Sequence, residues 1–171
     1  MSYSPYGVLK RVGELYTKSL GGLIVKFWNV YGIEKDMDKA HVITDFIRKG
    51  FETGVIDMMT DGTEAREFLY AEDCCEALET VMDEYDNLSC DDELHITTGV
   101  YTTVLEIAEE IKSLFFSIGK KITVIPDEKK DSVQRDARNV PDPYIKEFWQ
   151  PTTSVKEGLK KVFEEMKKDY E

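Results

Sequence analysis

Cysteine, histidine, proline and long apolar runs are all scarce in this 171-residue chain. Each scarcity excludes something. The three cysteines, Cys74 and Cys75 adjacent and Cys90 alone, are an odd number without metal-ligand spacing or a disulfide framework, so a reducing, cytoplasmic setting is expected. His41, His95, Met58 and Met59 read as packing or surface residues, and no metal site is expected. No apolar run approaches the ~18–20 residues that cross a bilayer, and Met1 to Lys10 shows no charged-then-apolar leader. Neither a membrane partner nor export is expected. Basic residues are outnumbered, 22 Lys+Arg against 34 Asp+Glu, for a net charge of −12. Such a surface repels phosphodiester backbones, which excludes non-specific nucleic-acid binding. The 11 glycines never form a G-x-G-x-x-G series, and Gly119-Lys120-Lys121 lacks the spacing of a phosphate loop.

What is present alternates between two periods. Pro5 to Leu20 carries Val8, Val12, Leu15, Tyr16 and Leu20 at helical spacing and stops at Gly21-Gly22. Tyr6, Lys10, Gly13 and Thr17 fall on the opposite side of that helix at ~100° per residue. Leu23 to Trp28 is a nearly continuous apolar run, as for a strand buried on both faces. A short helix is expected over 42–50, strands over 55–59 and 67–70, a helix over 72–85, a solvated acidic loop over 86–93 and a strand over 94–97. Two capping boxes, Thr103-x-x-Glu106 and Ser154-x-x-Glu157, open helices whose inward residues are Ile107, Ile111 and Phe115 in one and Leu159, Val162 and Phe163 in the other. Between them, 121–125 reads as a strand and 127–151 as irregular. Alternating helices and strands without an internal repeat indicate an α/β class.

Tyr6 and Lys10, four apart on one helix face, can form an acid/base pair, because a nearby ammonium stabilises a phenolate. The same spacing also suits a packing tyrosine beside a solvated lysine. The surrounding words are more specific: Ser4-Pro5-Tyr6-Gly7-Val8-Leu9-Lys10, then Lys26-Phe27-Trp28-Asn29-Val30-Tyr31-Gly32, then Gly62-Thr63-Glu64-Ala65-Arg66-Glu67-Phe68-Leu69-Tyr70-Ala71-Glu72-Asp73. In this order they resemble the extended short-chain dehydrogenase/reductase family, nearest to its nucleotide-sugar epimerases and dehydratases. Thr97-Thr98-Gly99, Trp149-Gln150-Pro151 and Thr153 to Leu159 agree with it.

The resemblance covers the chain but matches only the C-terminal half of the family's fold, from the Tyr-x-x-x-Lys onward. It implies a partial Rossmann-like, NAD(P)-binding sheet from 1–29 and 71–99, and a small nucleotide-sugar lobe from 30–70 and 100–171. It implies Tyr6 as catalytic acid/base, Lys10 as the residue that holds the cofactor ribose and steadies the phenolate, and NAD or NADP as cofactor of the parent enzyme. Asn29 would offer an amide to substrate, with a turn residue as the alternative. Arg66 would take the nucleotide diphosphate, with a salt bridge to Glu64 or Glu67 as the alternative. A second diphosphate arginine is expected after the 121–125 strand, where this chain has Lys129-Lys130-Asp131 and, further on, Arg135. The family's Gly-rich cofactor loop has no counterpart, so a fragment inactive alone is expected. Its partners would be a nucleoside-diphosphate sugar and, through the first helix, either a second copy or a missing N-terminal half. A nucleotide-sugar-binding remnant and a structural or assembly domain are the competing functions.

Overall fold

A computed structural model describes residues 4–89, 93–132 and 140–171. Helix α1 (Pro5–Ser19) starts where the Ser4 hydroxyl accepts the Gly7 N–H at 3.1 Å and Pro5 needs no partner for a missing N–H. It stops at Gly21, whose φ of 70° an L side chain adopts with strain. Strand β1 (Ile24–Phe27) follows and pairs in parallel with β5 (Glu93–Ile96), Val25 opposite Leu94. Both strands stand where the sequence predicts them, over 23–28 and 94–97, and they pair in parallel as the resemblance implies. The burial differs: only Ile24 of β1 is buried, and Phe27 is half exposed. Among the described residues the β1–β5 sheet has two strands, and α1 rests against it on Gly7, Glu14 and Thr17 instead of on its apolar residues.

A second sheet has the order β2-β4-β6, from Asn29–Tyr31, Ala65–Tyr70 and Tyr101–Thr103. β2 runs parallel to β4 with Asn29 opposite Phe68, and β6 runs antiparallel to it with Arg66 opposite Thr102. Neither β2 nor β6 is anticipated by the periodicity, since three residues are too few to display a two-residue repeat. A third pair joins β3 (Val55–Asp57) to β7 (Thr123–Ile125).

The larger core gathers Ile43, Phe46 and Ile47 of α2 (Val42–Glu52), Ile107, Ile111 and Phe115 of α4 (Val104–Ser117), and Leu159, Val162 and Phe163 of α5 (Val155–Lys167). Both capping boxes are formed, so the N-cap and N3 N–H groups of α4 and α5 are satisfied where the sequence pattern places them. Gly158 lets α5 approach this core closely: a Cβ there would stand 2.0 Å from the Tyr31 hydroxyl oxygen, which donates to the Val155 carbonyl at 3.2 Å. A second core joins Leu69, Leu94 and Ile96 to Ala77 and Val81 of α3 (Ala71–Asp83). Ile145 and Trp149, from a single 3-10 turn (Tyr144–Glu147) and its end, pack there too. The rest of the described part of 127–151 is irregular, as expected.

Candidate functional site

The turn at Gly21-Gly22 folds α1 back along β1, and Glu14 meets Lys26 at 3.2 Å. From that contact the helix runs toward Tyr6 as the strand runs toward Asn29, so both reach the same end of the unit. Tyr6 and Lys10 share a face one turn apart, and the Lys10 ammonium lies 5.4 Å from the centroid of the Tyr6 ring. Tyr6 is 71% exposed. Two carboxylates anchor this arrangement: Lys26 also contacts Glu93 at 2.6 Å, and Arg11 contacts Glu14 at 2.5 Å. The hydrogen bond from Lys26 holds the Glu93 carboxyl below the usual carboxylate range. Burial pushes Glu14 upward, but hydrogen bonds from Arg11 and Lys26 outweigh it and leave its pKa lowered.

Asn29 opens β2 as a strand residue, not a turn residue, and is exposed. Since it stands opposite Phe68, Arg66 lies two residues back on the neighbouring strand. The pleat therefore puts both side chains on one sheet face, offset by roughly 6–7 Å along the strand. Arg66 pairs with Asp131, not with the glutamates beside it in sequence. Glu64 instead accepts from the Thr60 hydroxyl at 2.6 Å. Arg135 lies outside the described residues. Asp131 is held near Arg66 by the preceding segment, where the Asp127 N–H donates to the Thr60 carbonyl and the Asp61 N–H to the Lys129 carbonyl.

Two buried carboxylates shape the surroundings, and sequence reasoning did not single out either. Glu67 is fully buried and accepts from the Thr97 hydroxyl and, at 2.7 Å, from the Gly99 N–H. It thereby ties the end of β5 to β4. Asp73, 1% exposed in the first turn of α3, accepts from the Thr153 N–H and hydroxyl, both at 2.9 Å, and from the Thr152 hydroxyl at 3.1 Å. The available signal was an acid at each end of the Arg66-to-Asp73 word, where an otherwise apolar strand and helix have no reason to bury charge.

A dinucleotide would need a cradle for its pyrophosphate, a strand turning through glycines into a helix whose first N–H groups stay free. Among the described residues none fits. α1 follows Ser4-Pro5, and the starts of α4 and α5 are occupied by their own glutamates. Beside the Tyr6–Lys10 pair, the described residues supply no seat for the phosphates of a dinucleotide. No metal-binding group of three or more His, Cys, Asp or Glu occurs among the described residues.

Comparison with known proteins agrees with this layout. The NAD dependent epimerase/dehydratase family matches over residues 2–96. A putative UDP-glucose 4-epimerase of Methanocaldococcus jannaschii is 30% identical over 96% of this chain and 53% of its own length. In fold, the chain is similar to the epimerase Mth375 of Methanothermobacter thermautotrophicus, with a TM-score of 0.83 at 20% identity, over 99% of this chain and 52% of that one. It is also similar to MoeE5, solved in complex with UDP-glucose and NAD, with a TM-score of 0.76 at 21% identity over 100% and 58%. The chain thus spans about half the length of the relatives it matches. The family match takes in more than half of the 171 residues, from the Tyr6–Lys10 helix through both parallel strands of the first sheet, and the chain belongs to the NAD-dependent nucleotide-sugar epimerase/dehydratase family.

Proposed function

We propose that this chain is the C-terminal portion of an NAD(P)-dependent nucleotide-sugar epimerase or dehydratase. The observation that supports the reading is the placement of Tyr6 with Lys10 on one face of α1, which runs back along β1, with Asn29 and Arg66 on one face of the next sheet. In this reading the Tyr6 phenolate, steadied by the Lys10 ammonium, takes the proton of a sugar hydroxyl and becomes the phenol. Arg66 contacts the diphosphate after exchanging its Asp131 partner, Asn29 orients the sugar, and Arg135 makes a second diphosphate contact. The described residues offer no cradle for the hydride acceptor, NAD or NADP, and in this reading the chain alone binds substrate without turning it over.

The cofactor lobe comprises 1–29 and 71–99, and the substrate lobe 30–70 and 100–171, with Ile145 and Trp149 reaching back to the first lobe's core. The setting is cytoplasmic. Val8, Leu9, Val12, Leu15, Tyr16 and Leu20 all project outward from α1. At ~100° per residue they span an arc of about 140° opposite the face on β1, which suits a helix of a second copy or of a cofactor-binding half.

The 71% exposure of Tyr6 favours one alternative, a binding remnant in which only the Arg66 end is used. Titration calorimetry with UDP-glucose tests the common part. Binding in the micromolar-to-millimolar range, ~4–8 kcal/mol, that Arg66→Ala abolishes is expected. Binding that Arg66→Ala leaves unchanged would remove the proposal.

A further inference from the structure

On the β6 side of the second sheet lies a cavity of about 430 Å³ that the reading above does not use. One wall is the turn into β6, with Thr98, Val100 and Thr102. The other wall is the segment from Gln150 through Thr153 and Ser154, and Lys146 lies between the two.

Three features set this cavity apart. Among its described lining residues Lys146 is the only charged one, in a chain of net charge −12. Among the described residues, no carboxylate pairs with the Lys146 ammonium. The ammonium also lies against bare backbone: Gly99 has a φ of 75°, and a Cβ there would stand 2.4 Å from the Lys146 Nζ, so any other residue would displace the lysine.

Both walls are fixed from behind. Glu67 holds the Gly99 N–H, the Thr98 hydroxyl accepts the Val100 N–H at 3.1 Å, and Asp73 holds Thr152 and Thr153. Neither buried carboxylate lines the cavity, so their charge is spent on the walls' own donors. What remains for a ligand is one ammonium, the Thr102 hydroxyl and the second N–H of the Gln150 amide, whose nitrogen already donates to the Lys146 carbonyl at 3.5 Å, in a volume typical of small-molecule sites. An unpaired ammonium beside neutral donors selects for an oxyanion, and a lysine acts on phosphate as a point charge.

We propose that this cavity binds a phosphate dianion, with Lys146 as its charge partner and Thr102 and Gln150 as hydrogen-bond donors, independently of the nucleotide-sugar reading. Thr102 stands opposite Arg66 in register, so the test must separate the two cations. Inorganic phosphate is titrated into the full chain at constant ionic strength, with chloride as the control, and followed by NMR at the Gly99 and Thr102 amides and the Lys146 ε-methylene. Saturable shifts in the low-millimolar range are expected, weakened at least about tenfold by Lys146→Gln and unchanged by Arg66→Ala. Thr102→Val, which retains its shape but loses the hydroxyl, is expected to weaken binding by a smaller factor. Non-saturating shifts, shifts that chloride reproduces, or shifts that survive Lys146→Gln in a folded variant would overturn the proposal. Loss with Arg66→Ala but not with Lys146→Gln would also overturn it, by placing the anion at the nucleotide-sugar site.

Discussion

Replacing Asp73 by alanine is expected to release the start of α5 from the rest of the fold. The carboxylate is 1% exposed and receives three hydrogen bonds from two consecutive residues, Thr152 and Thr153, immediately before the Ser154 cap. Bonds to an ionised group contribute ~1.5–3 kcal/mol each, but three on one carboxylate do not add fully. Thr152 is exposed, so water replaces its bond at little cost; the Thr153 N–H and hydroxyl are half-buried and are left short of partners. Asp73 also sits in the first turn of α3, where a negative charge contributes a further ~0.3–1 kcal/mol. Together these give an expected loss of ~3–5 kcal/mol. At ~2–4 °C per kcal/mol for a chain of this size, the midpoint should fall by roughly 6–20 °C. Asp73→Asn should cost less, because its remaining carbonyl oxygen still accepts from the Thr153 N–H. Urea unfolding gives the magnitude, and amide exchange locates it: protection should fall first in α5. A cost below about 1 kcal/mol, or a loss of stability with α5 protection unchanged, would refute the reasoning.

Gly158→Ala should destabilise by ~1–3 kcal/mol, because its Cβ would have to displace the Tyr31 hydroxyl from a packed core; the fluorescence-detected unfolding midpoint measures it. Acid should loosen α1 from β1. Glu14 and Glu93 both have folded pKa values below the ordinary 4.5, so their stabilisation is complete above that pH and is lost as the pH falls through the lower folded values. Amide exchange of α1 across that window checks this, and Lys26→Met should flatten the pH dependence.

Long periodic segments and capping words were legible in the sequence. α4 and α5 start at their capping boxes and bury the residues that a 3.6-residue repeat selects. The strands β1 and β5 were readable from the sequence, and their parallel pairing is what the resemblance to a Rossmann-like sheet implies. Full burial of β1 did not follow, because it depends on neighbours that a strand's own residues do not encode, and here one side of the sheet is left to α1's polar face. β2 and β6 were missed because their strands exist only through pairing with β4. At the site, the helical spacing of Tyr6 and Lys10 was readable. The partner of Arg66 was not, since Asp131 lies 65 residues away and reaches it through backbone bonds to the Thr60–Asp61 turn.

The central claim is that Tyr6 belongs to a working acid/base pair once a cofactor is held beside it. It is tested most directly by joining the part of the Methanocaldococcus jannaschii relative that this chain does not cover ahead of Ser4 and measuring turnover of UDP-glucose. Tyr6-dependent turnover is expected, lowered ~10²–10⁴-fold by Tyr6→Phe. A chimera that binds both NAD and UDP-glucose but shows no turnover, or turnover unaffected by Tyr6→Phe, would contradict the claim.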